Sequence, residues 1–319
     1  MNKAEKTMKK LFISLFIIIQ ILVLSSCLEE RAEYTVTFVD GERQASGVFF
    51  SGDTLVYPDE PTRENYIFAG WSYDEDEISY APLSLKVDGD ITLYAVWEYD
   101  YRAVSETVYT DYIKINVAVT STCYNQIFGT AVDQVMSRGS GVIFDSDSKY
   151  YYVLTNNHVT ERVAGYSHAK YTVEDCYGNS YTATLLASSA AYDLAIMCFA
   201  KGECELKCAE FATADADVGD LIISLGQPSG VANALTFGEV RDIANVLADG
   251  SGLSDEIEFE VIWHDAYLNH GSSGGALLDD TLSLVGVNFA IVTNSDAEEF
   301  IYGMSVPLEK VIEFLNTYY

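Results

Sequence analysis

The chain has 319 residues, with 48 acidic against 18 basic side chains and a formal net charge of −30. No basic stripe exists to follow a phosphate backbone, which excludes nucleic acid as a partner, and the acidity fits solubility outside a cell. Beyond Cys27, the cysteines Cys123, Cys176, Cys198, Cys204 and Cys208 form no Cys-x-x-Cys pair, so neither a metal nor a cofactor is expected and disulfide pairing stays open.

Lys3, Lys6, Lys9 and Lys10 give the chain a basic start, and Leu11 to Leu24 is an apolar run broken only by Ser14 and Gln20. The run is short for a membrane span, which needs about 20 residues, and suits the core of a signal peptide. It ends in Leu24-Ser25-Ser26-Cys27. This ending resembles a bacterial lipobox. The resemblance implies a lipoprotein signal peptide over residues 1–26, a lipid on Cys27, and a protein anchored on the extracytoplasmic face of the cell membrane. An ordinary secretory signal or an uncleaved anchor is the alternative. Either way the chain is expected to be exported, and its mature part would carry 47 acidic and 14 basic residues.

Residues 34–98 read as one small unit. Tyr34 to Gly41 alternates and then turns, which predicts a strand entering a hairpin, and Pro58 and Pro61 punctuate a loop. Tyr66–Trp71 and Ile91–Trp97, rich in aromatic and β-branched residues, predict two more strands. With its centre Pro61-Thr62-Arg63-Glu64-Asn65-Tyr66-Ile67-Phe68-Ala69-Gly70-Trp71 and its ending Thr92-Leu93-Tyr94-Ala95-Val96-Trp97, the unit resembles the Listeria–Bacteroides surface repeat of the internalin B type. That implies a β-grasp-like module serving as a spacer or an adhesive element.

A polar, Tyr-rich link is expected over residues 99–106. From Thr107 onward, short strands are predicted at Ile113–Val119, Gly141–Phe144, Tyr150–Leu154, Leu194–Phe199, Leu221–Leu225, Ile257–Ile262, Leu284–Ile291 and Ile301–Val306. A helix is predicted only over Pro307–Tyr319, where Leu308, Val311, Ile312 and Leu315 share a face. Many short strands and one closing helix predict a mostly β fold, a barrel or sandwich, over 107–319.

Three local contexts in this region suit acyl-transfer chemistry. His158 ends the strand-like Tyr150–Leu154 run, Asp193 stands at the mouth of an apolar strand, and Ser273 sits in Gly271-Ser272-Ser273-Gly274-Gly275. A glycine-rich turn presents a hydroxyl and aims uncrowded N–H groups at a neighbouring oxygen. Each residue alone has an ordinary structural explanation. Together, in the order His, Asp, Ser and in an all-β context, they match the chain order of chymotrypsin and not that of subtilisin or the α/β-hydrolases, which also argues against an esterase.

Gly139-Ser140-Gly141-Val142-Ile143-Phe144, Thr155-Asn156-Asn157-His158-Val159, Tyr192-Asp193-Leu194-Ala195-Ile196 and Asp265 to Leu277 resemble the trypsin-like protease domain of the HtrA/DegP family, as do Val218–Gly230 and Val285-Gly286-Val287-Asn288. The resemblance implies a chymotrypsin-like double β-barrel over 107–319 and a serine endopeptidase acting on unfolded or surface polypeptides. His158, Asp193 and Ser273 would be its triad, and the backbone N–H groups of Gly271 and Ser273 its oxyanion hole. Tyr267, Asn288, Phe289 and Ala290 are expected at the substrate strand or first pocket, suggesting a small or apolar preference. Ser272 stands where the family usually has Asn, and His270 where Pro is common. With the chain stopping after its last helix, a member lacking the peptide-binding PDZ domain is expected. A homo-trimer follows from the family alone. The competing reading is a surface adhesin whose protease-like domain is inactive.

Overall fold

A computed structural model describes residues 31–246, 257–294 and 299–319. The expected leader and Cys27 lie outside the described residues. The chain divides into two units, residues 1–100 and 101–319.

In the first unit, strands β1 (Glu33–Asp40), β2 (Arg43–Phe50), β3 (Tyr66–Ser72) and β4 (Ile91–Tyr99) form one sheet in the order β2-β1-β4-β3. β1 and β2 make the expected hairpin, and β1 runs parallel to β4. Alternation turns Val36 and Phe38 of β1 to one face, where they meet Leu55, Trp71, Val87 and Leu93. Phe38 and Trp71 meet edge-on with ring centroids 5.0 Å apart, so this small sheet has a core of its own.

The second unit opens with a helix, α1 (Tyr101–Thr110), where a link was expected. Val104 and Val108, one turn apart, bury the same face. A 3-10 turn at Tyr112–Ile115 then takes the start of the predicted strand at Ile113. Six strands follow: β5 (Asn116–Ile127), β6 (Thr130–Ser146), β7 (Tyr150–Thr155), β8 (His168–Glu174), β9 (Ser180–Ser189) and β10 (Leu194–Ala200). They close a barrel in the order β10-β7-β6-β5-β8-β9. Six more close a second barrel in the order β11-β12-β13-β16-β15-β14. These are β11 (Leu221–Gly226), β12 (Ala234–Asn245), β13 (Glu260–His264), β14 (Ala276–Leu278), β15 (Leu284–Thr293) and β16 (Phe300–Pro307). The unit is therefore a chymotrypsin-like double barrel, ending in helix α3 (Leu308–Tyr318); the one-turn helix α2 (Asn157–Thr160) follows β7.

Each barrel fills its interior with inward-facing apolar side chains. Val117, Ile143, Val153, Val173 and Phe199 occupy the first; Ile222, Val240, Ile262, Leu277 and Val285 occupy the second. A third cluster seals the two together. Leu154, Leu194 and Ile196 from the first barrel pack with Val287, Phe289, Met304 and Val306 from the second, and Val311 and Phe314 of α3 close the end. The five described cysteines are free thiols.

Candidate active site

His158 enters from the first barrel. Strand β7 ends at Thr155, and α2 turns the chain so that His158 projects from its first turn. Asp193 is presented by a 3-10 turn (Ala190–Tyr192) that joins β9 to β10 and leaves Asp193 in the left-handed region at φ 46°, ψ 42°. Asp tolerates that conformation better than most residues. Asn156 holds it there, donating from Nδ2 to the Asp193 carbonyl at 2.8 Å. The Asp193 side chain is almost wholly buried, and both carboxylate oxygens are used on one partner. Oδ1 accepts the backbone N–H of His158 at 2.9 Å, and Oδ2 meets His158 Nδ1 at 2.7 Å. A carboxylate accepts only, so Nδ1 carries the proton and Nε2 is left bare as a base.

The Gly271–Gly275 turn belongs to the second barrel, between β13 and β14. Four successive carbonyls of the turn are anchored. His270 O accepts from Ser229 N–H at 2.6 Å, Gly271 O from Ser140 Oγ at 2.7 Å, Ser272 O from Gly275 N–H at 2.9 Å and Ser273 O from Ser140 N–H at 2.7 Å. In a trans peptide the N–H points opposite the C=O, so fixing the carbonyls fixes the N–H groups. Ser272 N–H is taken by Asn269 O and Gly274 N–H by Asn288 O. The N–H groups of Gly271 and Ser273 have no acceptor among the described residues. Two uncommitted donors flanking one serine are what a developing oxyanion needs. Gly271 adopts φ 99°, and a Cβ there would run into the Gln227 carbonyl, so the position requires glycine.

Both departures from the family pattern have a visible role in this turn. Ser272 is buried and its Oγ accepts Asn269 N–H at 3.2 Å, bracing the turn from inside. His270 is exposed, and its backbone supplies the carbonyl that Ser229 holds.

The histidine segment and the serine turn meet at β6. Thr155, three residues before His158, donates from Oγ1 to Ser140 O at 2.7 Å, while Ser140 N–H holds Ser273 O. A Cβ placed on Gly139 would lie 2.7 Å from Val159 Cγ2 and 2.8 Å from Ser273 O, which requires glycine at this crossing of the barrels. Ser273 Oγ itself donates to the Phe289 carbonyl at 3.2 Å rather than to His158.

The expected substrate residues divide. Tyr267 is exposed; its ring meets Phe300 edge-on at 5.2 Å and its hydroxyl accepts Asn269 Nδ2 at 3.0 Å. Ala290 is half-buried on β15. Asn288 and Phe289 turn buried side chains away from any ligand. Phe289 packs between the barrels. Asn288 donates to Ser224 Oγ (2.9 Å) and Ala276 O (3.2 Å) and accepts from Ser305 Oγ (2.8 Å). Both were expected along the substrate strand, and both lie on β15 with their side chains buried. Sequence reasoning missed Ser140, Thr155, Asn156 and Ser229 as parts of the site. The signal for Ser140 was its place between two glycines; Ser229 and Asn156 carried none, since they act through loop geometry.

Residues 139–287 match the family described as Trypsin-like peptidase domain, and residues 34–96 the Listeria-Bacteroides repeat domain. Serine protease Do-like HtrA of Bacillus subtilis (strain 168) is 32% identical over 182 residues, covering 56% of this chain and 38% of that protein. Periplasmic serine endoprotease DegP of Escherichia coli (strain K12) is 32% identical over 184 residues, 57% of this chain and 36% of its own length. Periplasmic pH-dependent serine endoprotease DegQ of the same strain is 33% identical over 172 residues, 53% of this chain and 34% of its own. The chain thus spans little more than a third of the length of these curated relatives. It carries a trypsin-like peptidase domain homologous to the HtrA and DegP serine proteases, preceded in sequence by a Listeria-Bacteroides repeat domain.

Proposed function

We propose that residues 101–319 are a serine endopeptidase that hydrolyses peptide bonds through an acyl-enzyme, with Ser273 as nucleophile, His158 as general base and Asp193 as its orienting carboxylate. The observation that carries this reading is the pairing of the buried Asp193 carboxylate, bonded twice to His158, with a serine turn in which the Gly271 and Ser273 N–H groups have no acceptor among the described residues. Rotation about the Ser273 Cα–Cβ bond would move Oγ from the Phe289 carbonyl to the bare His158 Nε2. Catalytic hydrogen bonds are often loose before substrate arrives and tighten in the complex. Nε2 takes the hydroxyl proton as Oγ adds to the scissile carbonyl, and the Gly271 and Ser273 N–H groups receive the oxyanion. The imidazolium, held by Asp193, then returns the proton to the leaving amine. Water, activated by the same base, releases the acyl group. The Phe289 carbonyl, freed by the rotation, is available to a substrate N–H.

The substrates we infer are unfolded or surface polypeptides. The inferred place of action is outside the cytoplasm, with Cys27 lipidated at a membrane and the domain able to trimerise. The names of two of the relatives, periplasmic serine endoproteases of Escherichia coli, support the compartment, and the leader supports the anchor. A fluorophosphonate probe is expected to label the wild-type chain and not Ser273→Ala, with casein hydrolysis lost in parallel. A folded wild type that neither labels nor hydrolyses any peptide overturns the reading. Cys27→Ala is expected to move the protein from the membrane fraction to the soluble one, and unchanged fractionation removes the anchor.

A further inference from the structure

Ser140 makes four hydrogen bonds at the junction of the barrels and is fully buried. Its backbone accounts for two, N–H to Ser273 O at 2.7 Å and C=O from Thr155 Oγ1 at 2.7 Å. Its hydroxyl accounts for the other two. Oγ donates to Gly271 O at 2.7 Å and accepts Gln227 N–H at 2.9 Å. A hydroxyl has one proton to give, so its direction is set: the Gln227 N–H orients it and Gly271 O receives it.

We propose that the Ser140 hydroxyl is a positioning residue for the oxyanion hole, reaching from the first barrel to set the Gly271 peptides of the second. This rests on the peptidase reading above. Of the four anchored carbonyls, that of Gly271 takes its hydrogen bond from a side chain, and the other three take theirs from backbone N–H groups. Gly271 is also a glycine, at φ 99°, with no side chain of its own to hold that conformation. The Gly271 carbonyl shares its plane with Ser272 N–H, and the Gly271 N–H shares the plane of the His270 carbonyl; the two planes hinge at the Gly271 Cα, so freeing one carbonyl removes a restraint on the hinge that places this oxyanion donor. The same hydroxyl fixes Gln227 N–H, at the entry to the loop whose Ser229 N–H holds the His270 carbonyl. Both peptide planes that meet at Gly271 therefore depend on Ser140 Oγ, one directly and one through the 227–229 loop. The serine turn is not self-sufficient, and the second barrel completes its oxyanion hole only when docked on β6.

The effect belongs to the transition state. Donors aimed at an oxyanion stabilise the tetrahedral species and do little for the bound peptide, so their loss lowers kcat with KM nearly unchanged. The test uses the full chain with Ser140→Ala and, as a near-isosteric second variant, Ser140→Cys, each checked by thermal melting. Short peptide hydrolysis and the affinity of a peptide boronate, which mimics the tetrahedral species, are measured side by side. Ser140→Ala is expected to lower kcat by roughly 10- to 100-fold, change KM less than about threefold, and weaken the boronate by the same factor as kcat. Ser140→Cys, a poor donor, is expected between the two. A folded Ser140→Ala enzyme with wild-type kcat overturns the proposal, as does a loss carried in KM with boronate affinity intact. Failure of both variants to fold overturns it too, because the residue is then needed for the fold and not for the hole. An inactive and unlabelled wild type overturns the peptidase reading and this inference together, whereas an active wild type with indifferent Ser140 variants overturns this inference alone.

Discussion

A buried carboxylate that accepts twice from one histidine, once from its backbone and once from its ring, fixes both the place and the tautomer of that ring. Asn at position 193 would offer its amide nitrogen where Asp193 Oδ2 now accepts, and the ring would answer by moving its proton to Nε2, where it blocks the base. Asp193→Asn is therefore expected to lower kcat by about 10⁴-fold, the scale of wrong-tautomer variants of the Ser-His-Asp triad, while leaving the melting temperature within a few degrees. Steady-state kinetics with a parallel melt checks this, and a variant retaining a tenth of wild-type kcat refutes the orienting role. His264, which is wholly buried, behaves differently. His264 lies inside the second barrel, where Ser305 Oγ donates to Asn288 Oδ1 and so receives His264 Nε2–H at 3.1 Å; His264 Nδ1 has no partner among the described residues. Burial drives its pKa down to about 4, outweighing the neighbouring Asp265 carboxylate, which acts the other way. The unfolded chain then holds this proton up to pH 6.5 and the native chain does not. The contribution is complete above pH 6.5 and lost as pH falls towards 4, amounting to roughly 3 kcal/mol there. Urea unfolding at pH 7 and pH 4.5 is expected to show the decline, and His264→Gln to flatten it. An equal slope in the variant would mean another group titrates.

The C-terminal helix α3 shows how an element outside both barrels bears on the site. Phe314 is fully buried in the cluster that joins the barrels, and its ring lies 5.8 Å from that of Tyr192, the residue before Asp193. Tyr192 in turn donates from its hydroxyl to Glu313 on the same helix at 2.7 Å. The helix thus braces the turn that holds Asp193 in its left-handed conformation. Phe314→Ala is expected to cost about 3–5 kcal/mol, read as a fall in the urea midpoint; a loss below about 1 kcal/mol would place the helix outside the cooperative core. Helix α3 was legible because apolar residues recur at helical spacing, although its buried face is Leu308, Val311 and Phe314 and the expected Ile312 is exposed; α1 was not, since Val104 and Val108 are its whole buried stripe. Strands with apolar runs, such as β10 and β15, announced themselves. β8 and β9 did not: His168–Glu174 and Ser180–Ser189 are strands by virtue of closing the first barrel, with Lys, Thr and Ser on their open faces. β14 is three residues long and follows directly on the glycine turn, so no period fits in it. The site was readable in its chemistry, His158, Asp193 and Ser273, and unreadable in its supports, because Ser140 and Ser229 act through contacts made 131 residues apart in one case and through loop backbone in the other.

At the scale of the whole molecule, each unit owns a core. Val36, Phe38, Leu55, Trp71, Val87 and Leu93 fill the first, and the clusters of the double barrel draw only on residues after 101. Every anchor of the Ser273 turn and every partner of His158 and Asp193 named above lies within 101–319. A chain of residues 101–319 is expected to fold and to hydrolyse a short peptide with kcat/KM within about twofold of the longer chain, because the groups that stabilise its transition state are all retained. Beginning instead at Asn116 would strip the buried Val104, Val108 and Ile115 from the fold and is expected to lower stability. The comparison is made with a short peptide so that capture of a large substrate by the repeat cannot contribute. A loss of tenfold or more in the 101–319 chain, with its melting temperature intact, would assign the repeat a role in catalysis. Parity on the short peptide together with a loss on a protein substrate or on cell-surface binding would instead assign it to delivery, the task its resemblance to surface repeats implies.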